Sequence, residues 1–570
     1  MNTTRGACPA QPAMKHFTRI LDPFGIATSL MAVQRAWLEH PSELAQNLTN
    51  LGKQAWAVHV EALERFWGLN APDVVKPKER DERFQSPLWT EVPALDLMKE
   101  YYLLYTRWLE DSIYATPEVP DKVKRKAAFW ARQWLNAIAP TNFFWTNPHA
   151  LQRLMQTGGA SLTEGMRKWL EDLGRGDIRM VDNGAFRVGE NLATTSGQVV
   201  FRNELLEVIQ YRPSTAQVRT VPVVIISPWI NKYYILDLNQ QKSLIRYLVS
   251  QGLTVFVTSW KNPTKEMRNT TLDDYMLNGA LRAVRVAQAI SGSPVHAVGY
   301  CIGGTILAAL MAWINRESDT RDASPIASWT LFTALTDFSD PGEIDVFIDE
   351  DSISAIEQGM ATRGYLDGSE LTRSFRMLRS NSLIWHYFVG NYLYGEEPPP
   401  FDVLYWNIDN TRLPEAMHSF YLRELYLNNK LAQKDGVTLG GRPIDLRLIT
   451  QPVYNVGTEQ DHIAPWKATF KNCALVRGPV RYALATSGHI LGIISPPVDP
   501  PKRRYWAGDA SGQTDAEAWR AAVEKRPGSW WEDWRDWLHV QCGAMRELPA
   551  MGSPEHPPLA EAPGTYVLEK

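Results

Sequence analysis

The chain has 570 residues, with 59 Lys+Arg against 63 Asp+Glu and a formal net charge of -4, so it offers no basic surplus to a nucleic-acid backbone. Its length exceeds one ordinary core and predicts two domains, or one domain carrying a large cap. Cys8, Cys301, Cys473 and Cys542 lie far apart without CxxC or Cys/His spacing, which argues against a disulfide framework and a zinc site and fits a reduced cytoplasmic setting.

The N-terminal stretch to about Gly25 lacks the apolar core of a signal peptide, and no later run approaches the roughly 20 apolar residues of a membrane span. From 26 to 173 the pattern is helical. Ser42 is a candidate cap for a helix whose apolar positions are Leu44, Leu48, Leu51, Ala55, Val58, Ala62 and Phe66. Strand chemistry begins near Gly189, where Val199–Phe201 and Leu205–Tyr211 read as a hairpin. Strands at 221–226, 254–260, 295–298, 329–335, 452–456 and 481–485 then alternate with amphipathic helices. Continuous apolar strands alternating with helices predict an α/β fold, a mostly parallel sheet covered on both faces. The predicted organisation is a helical N-terminal domain over 1–188 and a catalytic domain over 189–570. The aromatic-rich segment at about 338–448 is too long for a crossover and reads as an inserted cap. Past 501 the chain reads as turns until Trp530, Trp531, Trp534 and Trp537, a stripe assigned to packing. The 22 Trp of the chain suggest apolar contact faces beyond the core's needs.

The strand at 295–298 runs into Gly299-Tyr300-Cys301-Ile302-Gly303-Gly304, a nucleophile elbow with cysteine in the serine position. The glycines answer a crowded strand-to-helix turn, and the helix after Cys301 would favour its thiolate. An α/β-hydrolase sheet then requires an acid and a histidine on loops after later strands. Asp461 and His489 stand in those places, His489 to move protons and Asp461 to fix its tautomer. Asp337, just past another strand, competes as the acid. His462 reads as a structural or substrate-contact residue, His296 as a satisfied core histidine, and the other three cysteines as structural. For the oxyanion hole the backbone N–H groups of Ile302 and of Ile230, in the loop after an early strand, are the candidates; a plain strand-to-helix connection is the alternative for that loop. No cofactor or metal is expected.

Together these segments resemble the polyhydroxyalkanoate synthases, bacterial polyester polymerases, and most closely their class I type. The resemblance rests on the elbow, on the run from Pro228 to Leu238, on Trp406-Asn407, on Asp461-His462-Ile463 with Pro465-Trp466, and on Ser487-Gly488-His489-Ile490. Ser227, where proline is common, and Phe420, where some members have tryptophan, depart from the pattern and bear on pocket shape. The family implies an α/β-hydrolase core with a mobile cap and a Cys301–His489–Asp461 triad. It also implies homodimers and residence on cytoplasmic polymer granules. The substrate it implies is an (R)-3-hydroxyacyl-CoA, with 3-hydroxybutyryl-CoA the expected monomer and CoA released as the polyester grows. A cysteine-triad esterase or thioesterase and a non-catalytic granule-binding protein are the alternatives.

Overall fold

The computed structural model describes residues 22–69, 71–78, 81–316 and 324–570, and the chain divides into two compact units. Cys8 lies outside the described residues. The first unit contains the described residues up to Asp182, together with Glu350–Ala355 and Arg373–Pro400. Two segments of the expected 338–448 cap therefore belong to the helical unit.

The main helices of that unit are α1 (Ile26–Glu39), α2 (Pro41–Phe66), α3 (Pro93–Tyr114), α4 (Asp121–Ala137), α5 (Pro148–Gln156) and α6 (Ala160–Arg175). α2 starts at Pro41 after His40, not at a Ser42 cap, because proline suits a first turn whose N–H has no acceptor. Its stripe buries Val58 and sets Leu51 and Ala55 against Trp89, Leu103 and Leu104; Leu48 and Phe66 stay exposed. Asn147 caps α5 by accepting from His149 N at 3.0 Å and Ala150 N at 3.1 Å.

The second unit, Asn183–Asp349, Ile356–Thr372 and Phe401–Lys570, is built on an 11-stranded sheet. Its strands are β1 (Gly197–Arg202), β2 (Leu206–Tyr211), β3 (Val223–Ile226), β4 (Val255–Trp260), β5 (Val295–Tyr300), β6 (Ile326–Phe332), β7 (Val453–Thr458), β8 (Val480–Ala485), β9 (Arg504–Asp509), β10 (Lys525–Pro527) and β11 (Ala560–Glu561). They stand in the order β10-β9-β8-β7-β6-β5-β3-β4-β2-β1-β11. From β4 to β8 the pairings are parallel; those of β1, β2, β9, β10 and β11 are antiparallel. β9 and β10, in the stretch expected to be turns, extend one edge.

Both faces of the parallel strands are covered, which is why they read as unbroken apolar runs. Along β3, Val224 and Ile226 join one core cluster and Val223 and Ile225 the other, following the two-residue period of a strand. The first cluster holds α7 (Ile302–Asn315), buried almost all round. The second holds α8 (Trp530–Gln541), whose Trp530, Trp531 and Trp534 are fully buried. The Trp stripe is therefore core. Among the described residues, no helix is long and apolar enough to cross a membrane.

Candidate active site

Cys301 stands between the last residue of β5 and the first of α7, at φ 53 and ψ -124. A cysteine in this left-handed region is strained, and such strain persists only where the surroundings enforce it. Here the crowding is explicit. A Cβ on Gly303 would lie 2.3 Å from the carbonyl oxygen of Ile226, one on Gly299 2.4 Å from the Cα of Gly304, and one on Gly304 2.4 Å from the Cβ of Ala334. The elbow thus presses α7 against the end of β3 and lifts the thiol, half-buried, off the sheet's carboxyl edge. The amide of Cys301 is held by the carbonyl of Phe332 at 2.9 Å.

Two other loops leave that same edge. After β7, Asp461 N bonds the carbonyl of Thr458 at 3.1 Å, and after β8, Ser487 adopts φ 91 ahead of Gly488 and His489. The loops are stitched together where Glu459 N meets Ala485 O at 2.8 Å and Gln460 N meets Ser487 O at 2.9 Å. His489 Nδ1 lies 2.7 Å from Asp461 Oδ2. Asp461 Oδ2 also accepts from Thr458 Oγ1 at 3.2 Å, and Oδ1 from the amides of Ile463 and Ala464, both at 2.8 Å. With Nδ1 engaged, Nε2 is the nitrogen left for chemistry. Burial by itself would lower the pKa of His489, but the Asp461 carboxylate and then the Cys301 sulfur outweigh it and hold it above the ordinary histidine value. The site therefore brings Cys301, His489 and Asp461 together.

The competitors fall elsewhere. Asp337 Oδ1 bonds Ser339 N at 2.8 Å and Asn429 Nδ2 at 3.1 Å, with Lys471 Nζ at 3.7 Å. His296 is a neutral core histidine: its nitrogens lie 2.8 Å from Ser328 Oγ and 3.0 Å from Thr330 Oγ1, and burial lowers its pKa to about 3. Burial pushes the Cys542 thiol up to about 12 and raises that of Cys473 as well, so both are inert.

Ile302 opens α7, where its N–H has no acceptor one turn back. The loop carrying Ile230 leaves β3, whose Ile226 pairs with Gly299 of β5, so it starts beside the elbow. Ser227 fits this place: it is fully buried, its hydroxyl bonds Thr258 O at 2.6 Å, and Trp260 Nε1 bonds its carbonyl at 2.8 Å.

Three tyrosines lie by the site, and sequence reasoning missed two of them, Tyr421 and Tyr426. Tyr300 points under the site, where its ring stacks with that of His489 at 5.7 Å and its hydroxyl donates to His489 O at 3.2 Å. Tyr421 and Tyr426 have rings 5.2 Å apart and meet Phe338. Burial first, and charge at Cys301 among the further causes, hold both phenols well above the ordinary tyrosine value. They stay neutral hydrogen-bond donors near the thiol. Tyr421–Leu427 is a π-helix, which brings residues five apart onto one face; an α-helical reading splits them. Tyr421 and Leu425 also close a cavity of about 10 Å³ with Leu272, Ile302, Thr305 and Ile306, room for about one water. Phe420 lines a separate cleft with Arg268 and Glu415.

Residues 80–248 match the model described as "Poly-beta-hydroxybutyrate polymerase (PhaC) N-terminus", and residues 222–496 match the alpha/beta hydrolase fold. A poly(3-hydroxyalkanoate) polymerase of Methylorubrum extorquens is 44% identical over 552 residues, covering 95% of this chain and 89% of that protein. Poly(3-hydroxyalkanoate) polymerase subunits PhaC of Cupriavidus necator and Rhizobium meliloti are 42% identical over 497 residues and 40% over 546, covering 86% and 95% of this chain and 83% and 88% of their own lengths. With an α/β-hydrolase sheet beneath a cysteine elbow and this similarity along nearly the whole sequence, the chain belongs to the poly(3-hydroxyalkanoate) polymerase family.

Proposed function

We propose that the enzyme polymerises short (R)-3-hydroxyacyl-CoA, 3-hydroxybutyryl-CoA first, through a covalent thioester on Cys301, in the manner of a class I synthase. The observation that carries this reading is the hydrogen-bonded pair Asp461–His489 beside a cysteine forced to φ 53. The Cys301 thiolate attacks the acyl-CoA carbonyl, the N–H groups of Ile230 and Ile302 receive the oxyanion, and CoA leaves with the proton held by His489. Thioester exchanges for thioester, so the acyl group stays activated. His489, now neutral, takes the proton of a second monomer's 3-hydroxyl, and that oxygen attacks the Cys301 acyl group. An ester bond forms and the thiol is freed. The lengthened chain, now on CoA, then acylates Cys301 again with loss of that CoA. A serine at this position would form an oxygen ester, a poorer acyl donor.

Hydroxyl attack must outrun water. The aromatic lining of Phe338, Tyr421 and Tyr426 supports a dry site. Incubation with 3-hydroxybutyryl-CoA tests the reading: CoA with insoluble polyester supports it, CoA with free acid marks a thioesterase, and no CoA release marks a non-catalytic binder.

The same reading includes a homodimer and residence at polymer granules in the cytoplasm. Leu162, Met166, Trp169, Leu170 and Leu173 form an exposed apolar stripe on α6 that suits a hydrophobic surface. Sedimentation with and without a primer analogue tests the dimer, and partition between granule and soluble fractions tests the location.

A further inference from the structure

Thr411 sits in a short segment that grips the loop after β3. Trp406 Nε1 donates to Lys232 O at 2.6 Å, and the buried Asp409 carboxylate meets Lys232 Nζ at 2.9 Å and Tyr234 Oη at 3.0 Å. Thr411 makes the contact nearest Ile230. Its hydroxyl donates to Trp229 O at 2.6 Å and accepts from Asn231 N at 3.0 Å, so one buried oxygen spans the residues on either side of Ile230.

The geometry has a direct consequence. Trp229 C=O and Ile230 N–H belong to one planar trans peptide, so their dipoles point opposite ways. Fixing the carbonyl toward Thr411 turns the Ile230 N–H away from it. Among the described residues, that N–H has no protein acceptor. Asn231 follows at φ 65, a strained turn that a bond to its own amide helps to hold. The Trp229 ring, 5.3 Å from Trp260 and 4.4 Å from Tyr275, anchors the other side of the peptide.

We propose that Thr411 is a positioning residue for the reaction: its hydroxyl sets the Trp229–Ile230 peptide plane so that the Ile230 N–H can receive the oxyanion. This rests on the reading of Cys301 as nucleophile and Ile230 as oxyanion donor. Acyl transfer then depends on the 406–411 segment, although no side chain of that segment reacts.

The test uses the full chain and 3-hydroxybutyryl-CoA, comparing Thr411→Val, which keeps the shape and removes the hydroxyl, with Thr411→Ser, which keeps the hydroxyl. Three quantities are read: the single-turnover acylation rate of Cys301, the steady-state constants, and the rate of Cys301 alkylation by iodoacetamide, which develops no oxyanion. T411V should slow acylation and kcat by about 10- to 100-fold, because one misaligned oxyanion donor costs up to 10²–10³. KM and the alkylation rate should stay near wild type, and T411S should recover most of the loss. Wild-type acylation by a folded T411V overturns the proposal. So does T411V slowing alkylation as much as acylation, or T411S as slow as T411V, since either marks a purely structural role. If the wild-type enzyme is never acylated at Cys301, the underlying reading has failed before the variants are compared.

Discussion

Trp530 donates its indole N–H to the carbonyl of Gly492 at 2.8 Å, three residues past His489. Trp531 does the same to Ile493, also at 2.8 Å, and Ser529 Oγ bonds Ser495 O. The helix whose Trp stripe reads as packing therefore also ties down the loop bearing the proposed base. Trp530→Phe keeps an aromatic ring but removes the indole N–H and orphans a buried carbonyl, which should cost about 1–3 kcal/mol. Loosening the His489 loop should also lower kcat by roughly three- to tenfold with KM little changed. Thermal melts and CoA-release kinetics check both, and an unchanged kcat would show that the loop holds itself.

Asp461→Asn should reduce kcat by on the order of 10³–10⁴ while the protein stays folded, because the amide favours the wrong tautomer. Asp337→Asn should cost little, since its carboxylate serves Ser339 and Asn429. Loss of the Asp461 charge also removes one cause that raises His489, so the acid limb of the residual kcat/KM profile should move to lower pH. Rate profiles of both variants decide the acid.

His489 adds a pH-dependent term to stability. Its folded pKa lies above the ordinary histidine value of about 6.5, so its contribution is full below that pH and fades as pH rises through the folded value. The melting-temperature gap between wild type and His489→Gln should accordingly narrow from pH 6 towards alkaline pH. A gap that widens would reverse the sign of the coupling.

Gly303→Ala should fail to fold or lose more than about 3 kcal/mol, because the new Cβ meets backbone 2.3 Å away at Ile226. Gly52→Ala, inside α2 with nothing within 4 Å, should instead stabilise by up to about 1 kcal/mol. Denaturant melts of the pair separate steric need from helix propensity.

The elbow was legible because its constraint is local: Gly299, Gly303 and Gly304 have no room for a Cβ, and that leaves a mark in residue type. The parallel core was legible for a similar reason, since both faces of β3 to β8 are buried. β9 and β10 were not, because β10 is a three-residue edge strand in which Lys525, Arg526 and Pro527 are exposed, and β9 beside it has exposed ends at Arg504 and Asp509. Tyr421 and Tyr426 were hidden by the π-helix. A bulky Tyr300 beside the nucleophile reads as narrowing the acyl pocket, yet the alternation of β5 sends its ring under His489. Side-chain direction at the end of a strand depends on register, which spacing along the chain does not encode.

The class I reading predicts that four- and five-carbon monomers are preferred over eight-carbon ones, at roughly 1–3 kcal/mol per methylene that fails to fit. Initial CoA release from 3-hydroxybutyryl-CoA should exceed that from 3-hydroxyoctanoyl-CoA. Equal rates in the wild type would contradict the short-chain assignment.

The central claim, that the growing polyester is carried by Cys301, is tested most directly by acid-quenching the enzyme during turnover of 3-hydroxybutyryl-CoA and mapping its peptides by mass. The account predicts hydroxybutyryl units on the peptide containing Cys301, released by hydroxylamine, and neither adduct nor CoA release in Cys301→Ala. Polyester formation by Cys301→Ala, or an adduct confined to another residue, would contradict it.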